Sequence, residues 1–160
     1  MSAAAERRDL DRRVTLPDDA ATEDLGRRLA PALEPGDVIA LWGGLGAGKT
    51  ALARAIIQAR AGSAVTVPSP TFTLMQSYAL DDVTLWHCDF FRLAAPDEAQ
   101  ELGLDEIFAD AVCLIEWPDR LGALLPARRL DLRLDFEGEG RVAHLTGGPH
   151  WARRLEALLP

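Results

Sequence analysis

The sequence predicts an α/β fold with a mainly parallel central sheet and antiparallel additions, and three observations carry that reading. The runs Asp37–Trp42 and Ala111–Ile115 are almost wholly apolar, as strands covered on both faces must be. Leu130–Phe136 alternates apolar and polar side chains, as a half-buried strand does. Capped, helix-like segments stand between the strand-like ones, the order in which a parallel sheet is built. At 160 residues the chain has room for one core and not comfortably for two.

Taken in order, residues 1–12 carry charge without an apolar segment and read as a short flexible tail, not a secretory signal. Residues 13–160 read as one domain. Arg13–Pro17 is the first strand. Asp18 or Thr22 caps a helix that carries Leu25, Leu29 and Leu33 at helical spacing and ends at Glu34-Pro35-Gly36. The strand Asp37–Trp42 leads through a glycine-rich loop into an alanine-rich helix, Thr50–Ala61, closed by Gly62. Two prolines keep Val67–Thr73 out of regular helix. Strands are expected at Leu74–Ala79 and Val83–Phe90, then a helix over Pro96–Phe108 with acids in its first turn, where the helix dipole favours them. Ala111–Ile115 is the second fully buried strand, ending in Glu116. Leu130–Phe136 turns at Gly138–Gly140 into Arg141–Thr146, and Trp151–Leu159 closes the chain as an amphipathic helix. Trp42, Trp86 and Trp117 are expected in the core.

Composition narrows the function classes. The net charge is −8, and between residues 63 and 119 eleven acidic side chains face a single basic one, Arg92. A free-standing nucleic-acid binder normally shows a basic face, so direct grip on DNA or RNA is not expected. No apolar run approaches the length of a membrane span. Cys88 and Cys113 each lie inside a strand-like run and read as small buried residues of a reducing, cytoplasmic protein.

Of 17 basic residues, Lys49 is the only lysine. It lies in Gly43-Gly44-Leu45-Gly46-Ala47-Gly48-Lys49-Thr50, a complete phosphate-binding loop. Successive amides of Leu45 to Thr50 turn into one concavity at a helix N-terminus, Gly46 and Gly48 allow close backbone approach, and Lys49 brings a slender point charge that a guanidinium does not replace. The Thr50 hydroxyl is suited to Mg²⁺. Phosphoryl transfer also needs a carboxylate beside the loop, and two strands end in one: Glu116 after Ile115, and Asp89 after Cys88. Glu116 is assigned to Mg²⁺ and Asp89 to the attacking water, with exchange of the two roles left open. Ser69 and Thr71 offer hydroxyls on a stiff proline-flanked loop, suited to sensing a γ-phosphate. His87 reads equally as a packed strand histidine or a proton shuttle. Arg92 reads as a phosphate partner or as an ion-pair partner of Asp89.

The blocks Gly43–Thr50, Pro68-Ser69-Pro70-Thr71-Phe72, His87–Arg92, Glu101-Leu102-Gly103 and Glu116-Trp117-Pro118 together resemble the TsaE (YjeE) family, in order and spacing from about Arg13 to Thr146. The resemblance implies a P-loop NTPase-like three-layer sandwich. It implies a weak, partner-stimulated ATPase that takes ATP and Mg²⁺, the metal held through Thr50 and Glu116. It implies a role in threonylcarbamoylation of tRNA adenosine, supporting turnover of a complex of TsaB- and TsaD-like proteins and meeting tRNA only through them. Further nucleotide contacts would fall near Asp19 and Arg141. The chain departs from the family pattern at Phe91, where a tyrosine is usual, and at Gly44, where an acid is usual. Two rival functions also fit the residues. One is a small-molecule kinase with Arg120, Arg128 and Arg129 in a lid. The other is a nucleotide-gated binding module. A guanine-reading Asn-Lys-x-Asp pattern would need a second lysine.

Overall fold

The strand that feeds the glycine loop, β2 (Val38–Trp42), lies inside a seven-stranded mixed sheet of the order β1-β7-β6-β2-β5-β4-β3. The computed structural model describes residues 8–62, 65–68 and 74–160. Its other strands are β1 (Leu10–Leu16), β3 (Met75–Ala79), β4 (Thr84–Asp89), β5 (Val112–Glu116), β6 (Leu130–Glu137) and β7 (Gly140–Gly147). The α-helices are α1 (Asp19–Leu29), α2 (Lys49–Ala61), α3 (Leu104–Asp110) and α4 (Pro149–Leu155). β6, β2, β5 and β4 run parallel to their neighbours within the centre, while β7, β1 and β3 add antiparallel at the two ends.

Alternation along the central strands divides the core in two. Ile39, Leu41, Leu85, Val112 and Leu114 face one layer, filled by Leu25 and Leu29 of α1, Leu52 and Ile56 of α2, and Trp151 and Leu155 of α4. Val38, Cys88, Cys113 and Ile115 face the other, with Phe90, Leu93, Ala99, Leu104 and Leu121. The two wholly apolar runs are thus buried on both faces, as their lack of alternation requires.

Local sequence explains most boundaries. Asp18 caps α1, its carboxylate accepting the Ala21 N–H at 2.9 Å. After a 3₁₀ turn at Ala30–Ala32, Leu33 is buried. Arg154 of α4 reaches back to Asp37 and to the Ala32 carbonyl, pinning the last helix to the entry of β2.

At three places the fold departs from the sequence-based expectation. β1 begins at Leu10, so residues 10–12 are not tail; they pair with Gly147, Thr146 and Leu145 of β7, a partner remote in sequence. The helix expected over Pro96–Phe108 is two pieces, a 3₁₀ segment Pro96–Leu102 and then α3, broken where Gly103 adopts φ 72°. The last helix starts at Pro149 and ends at Leu155, short of Leu159. Ser69 and Thr71 lie outside the described residues, as do residues 1–7.

Candidate functional site

The site lies where β2 and β5 end and α2 begins. Parallel strands of the same direction bring their C-terminal ends to one edge, so residues far apart in sequence meet there. Gly43 leaves β2 at φ 146°; a β-carbon on it would sit 2.6 Å from the Leu134 carbonyl oxygen, so neither conformation nor space admits a side chain. Gly48 caps α2 at φ 105°. Leu52 N–H is the first of the helix to reach a carbonyl, Gly48 O at 2.9 Å, which leaves the amides of Lys49, Thr50 and Ala51 ahead of any intrahelical acceptor. These amides and the positive end of α2 face a cleft of about 280 Å³ lined by residues 45–51, Asp89, Glu116 and Trp117. Leu45 stands out at the loop's tip, 71% exposed.

Lys49 is 5% exposed. Its ammonium donates to the carbonyl of Gly43 at 2.5 Å, approaches that of Gly44 at 3.4 Å, and lies 3.6 Å from the centre of the Trp117 ring. Burial lowers its pKa, and Glu116, Asp89 and Asp119 pull in the opposite direction. Trp117 is therefore not a core residue. It takes a left-handed backbone (φ 56°) after Glu116, and its ring lies with its centre 4.9 Å from that of Phe91, the two planes tilted by 48°. Sequence reasoning missed it because the switch of φ at the strand end, not periodicity, decides where the ring goes.

Glu116, 2% exposed, is held at both oxygens. Thr50 Oγ1 donates to its Oε1 at 2.7 Å, and His87 Nε2 meets its Oε2 at 2.6 Å. Asp89 pairs directly with Glu116 across β4 and β5, is 6% exposed, and accepts the Phe91 N–H at 3.0 Å. Among the described residues no group of three or more His, Cys, Asp or Glu side chains is placed to cage a metal. The oxygen pair of Thr50 and Glu116 instead suits a hard cation that takes its remaining ligands from phosphate and water.

Arg141 lies at the rim, one nitrogen donating to the Gly46 carbonyl at 3.1 Å and the guanidinium 4.2 Å from the Phe136 ring centre. Asp19, exposed in the first turn of α1, lines a neighbouring cavity of about 240 Å³ with Arg54 and Gln58, and Ala51 borders both spaces. A β-carbon on Gly44 would meet nothing within 4 Å, so packing does not force its departure from an acid. Of the arginines expected in a lid, Arg120 donates to Leu93 O, and Arg129 is held by Asp131 and Pro126 O. Both are tied to the scaffold.

The stretch that known proteins match takes in the same blocks. A family model described as "Threonylcarbamoyl adenosine biosynthesis protein TsaE" matches residues 16–143. The chain is 34% identical over 138 residues to a tRNA threonylcarbamoyladenosine biosynthesis protein TsaE of Rickettsia bellii, covering 86% of this chain and 96% of that one. It is 38% identical over 138 residues to the protein of that name from Streptomyces coelicolor, covering 81% and 93%. A crystal structure of Bacillus subtilis YdiB superposes with a TM-score of 0.75 at 29% identity, over 94% of this chain and 93% of that one. With a match that runs from the end of β1 into β7 and takes in the loop and both carboxylates, the chain belongs to the TsaE family.

Proposed function

We propose that this protein is a Mg²⁺-dependent ATPase with a P-loop NTPase-like fold that serves the threonylcarbamoylation of tRNA adenosine. The observation that carries the reading is the contact of Thr50, first-turn residue of the loop helix, with the strand-end carboxylate of Glu116 beside the only lysine. Loop amides and Lys49 bind the phosphates of ATP, with the helix N-terminus adding to the favourable field. Thr50 and Glu116 hold Mg²⁺, which when bound neutralises phosphate charge during transfer. Asp89, fixed by the Phe91 amide, orients the attacking water. Trp117, with Phe91 beside its ring, covers the ammonium and so keeps its charge effective. Thr71 is the candidate γ-phosphate sensor. Arg141 and Asp19 flank the loop and are candidate contacts for the rest of the nucleotide.

The relatives are named for tRNA threonylcarbamoyladenosine biosynthesis. We extend that role to this chain, acting in the cytoplasm on a complex of TsaB- and TsaD-like proteins and reaching tRNA through them. The acid-rich stretch supports indirect contact, since it would repel phosphate and attract basic protein surface. Among the described residues no helix is long and apolar enough to cross a membrane. The test is reconstitution with TsaB, TsaD, tRNA and threonylcarbamoyl-adenylate, scored for repeated modification cycles. Dependence of those cycles on this chain and on ATP is expected. Full turnover without either refutes the proposal, as does an absence of calorimetric heat when Mg–ATP meets the protein and its partners.

A further inference from the structure

We propose that His87 is a positioning residue for Glu116, holding the carboxylate in the orientation that receives the cation. This rests on the assignment of Glu116 to Mg²⁺ made above. In the parallel pairing of β4 with β5, His87 lies opposite Leu114, two residues before Glu116, so the imidazole rises on the same face as the carboxylate. Asp89, two residues after His87, rises there as well, opposite Glu116. The imidazole is fully buried, and its Nε2 meets Glu116 Oε2 at 2.6 Å while Thr50 holds Oε1 at 2.7 Å. A carboxylate only accepts, so Nε2 carries the proton and donates. β4 and α2 thus grip one carboxylate from two sides.

The bland alternative is a histidine that fills space. Its second nitrogen speaks against that. Nδ1 is buried with no hydrogen-bond partner among the described residues. An apolar ring would fill the same volume without burying an orphan polar atom, so the orphan is tolerated for what Nε2 does. Groups that orient a metal-binding side chain typically change metal affinity about 10- to 100-fold when removed.

The experiment measures thermal unfolding of the full chain with saturating ADP while MgCl₂ is added stepwise, reading the Mg²⁺ concentration for half-maximal stabilisation. His87→Phe keeps the volume and loses the donor; His87→Gln keeps a donor. The expected result is a midpoint raised about 10- to 100-fold in His87→Phe and within about threefold of wild type in His87→Gln. Without nucleotide, His87→Phe should unfold below the wild-type temperature, because the buried Glu116 Oε2 loses its donor, and His87→Gln should restore part of that loss. His87→Leu provides the same comparison should the phenyl ring not be accommodated. A Glu116→Gln background should abolish the difference between His87 and Phe at this position. Wild-type midpoints in both donor-less variants overturn the inference, and so does an equal shift in His87→Gln and His87→Phe. A wild type whose ADP stabilisation ignores Mg²⁺ refutes the assignment of Glu116 to the cation, and the positioning role with it.

Discussion

Replacing Lys49 by methionine should separate what the ammonium does for ATP from what it does for the fold. The substitution keeps an unbranched stem of similar length and removes only the charge. In the free protein that charge gains a charge-assisted bond to Gly43 O, worth about 1.5–3 kcal/mol, and a contact with Trp117 worth about 1–2 kcal/mol. Against these stands desolvation of a nearly buried cation, several kcal/mol by itself. Burial lowers the ammonium's pKa, so desolvation offsets much of what these two contacts contribute. Gly43 and Gly44 are not buried, so water can serve their carbonyls once the lysine is gone. Urea unfolding of Lys49→Met without nucleotide should therefore fall within about 1 kcal/mol of wild type, or above it. With Mg–ATP the outcome reverses. At a concentration about 100 times its Kd, ATP should stabilise the wild type by about 2.7 kcal/mol. Loss of a shielded charge partner weakens binding by about 2–5 kcal/mol, and a 100-fold weaker Kd leaves a gain of only about 0.4 kcal/mol. Equal nucleotide stabilisation of both proteins would refute the role of Lys49. A variant more than about 3 kcal/mol less stable without ATP would refute the electrostatic account.

Other outcomes follow from particular contacts. Gly43→Ala forces a β-carbon against the Leu134 carbonyl at φ 146°, and should cost at least about 2 kcal/mol in urea unfolding while also weakening ATP stabilisation. Burial raises the pKa of Cys113 to about 12 and that of Cys88 well above its ordinary value of 9.0. Their contribution to stability is therefore complete below pH 9 and is lost as the pH climbs through the folded-state values. Each thiol adds up to about 1.4 kcal/mol per pH unit, so a Cys88→Ala/Cys113→Ala double variant should show a flatter decline between about pH 9 and 11. Charge reversal at the exposed Asp97, Glu98 and Glu101 should weaken partner affinity about 10-fold at low salt and leave ATP binding intact; unchanged affinity would remove the acidic face from the docking surface. Glu116→Ala should lower partner-stimulated ATP hydrolysis by at least about 100-fold, and a partner assay with turnover equal to wild type would remove Glu116 from the site.

The loop was legible because its chemistry is contiguous: eight neighbouring residues carry the turn, the charge and the hydroxyl. The buried strands were legible because an unbroken apolar run allows few other placements. What escaped is non-local. Leu10 to Arg12 belong to a strand only because β7, more than a hundred residues away, supplies the pairing. The bond of His87 to Glu116 depends on the register between β4 and β5, although the His87-x-Asp89 spacing already put both side chains on one face. Trp117 looked like core by residue type, and a single left-handed residue turned it toward Lys49. The break at Gly103 was hidden because glycine is tolerated within helices as well as at their ends.

That break divides the acid-rich segment into two short pieces, one of them 3₁₀, and few of their side chains beyond Ala99 and Leu104 are buried. Short 3₁₀ hydrogen bonds are poorly aligned, and so lightly anchored a segment opens without disturbing the sheet. Its amides will exchange with deuterium well ahead of those in β2 and β5. A protein that clamps this segment will announce itself by slowing that exchange, residue by residue, from Asp97 to Asp110.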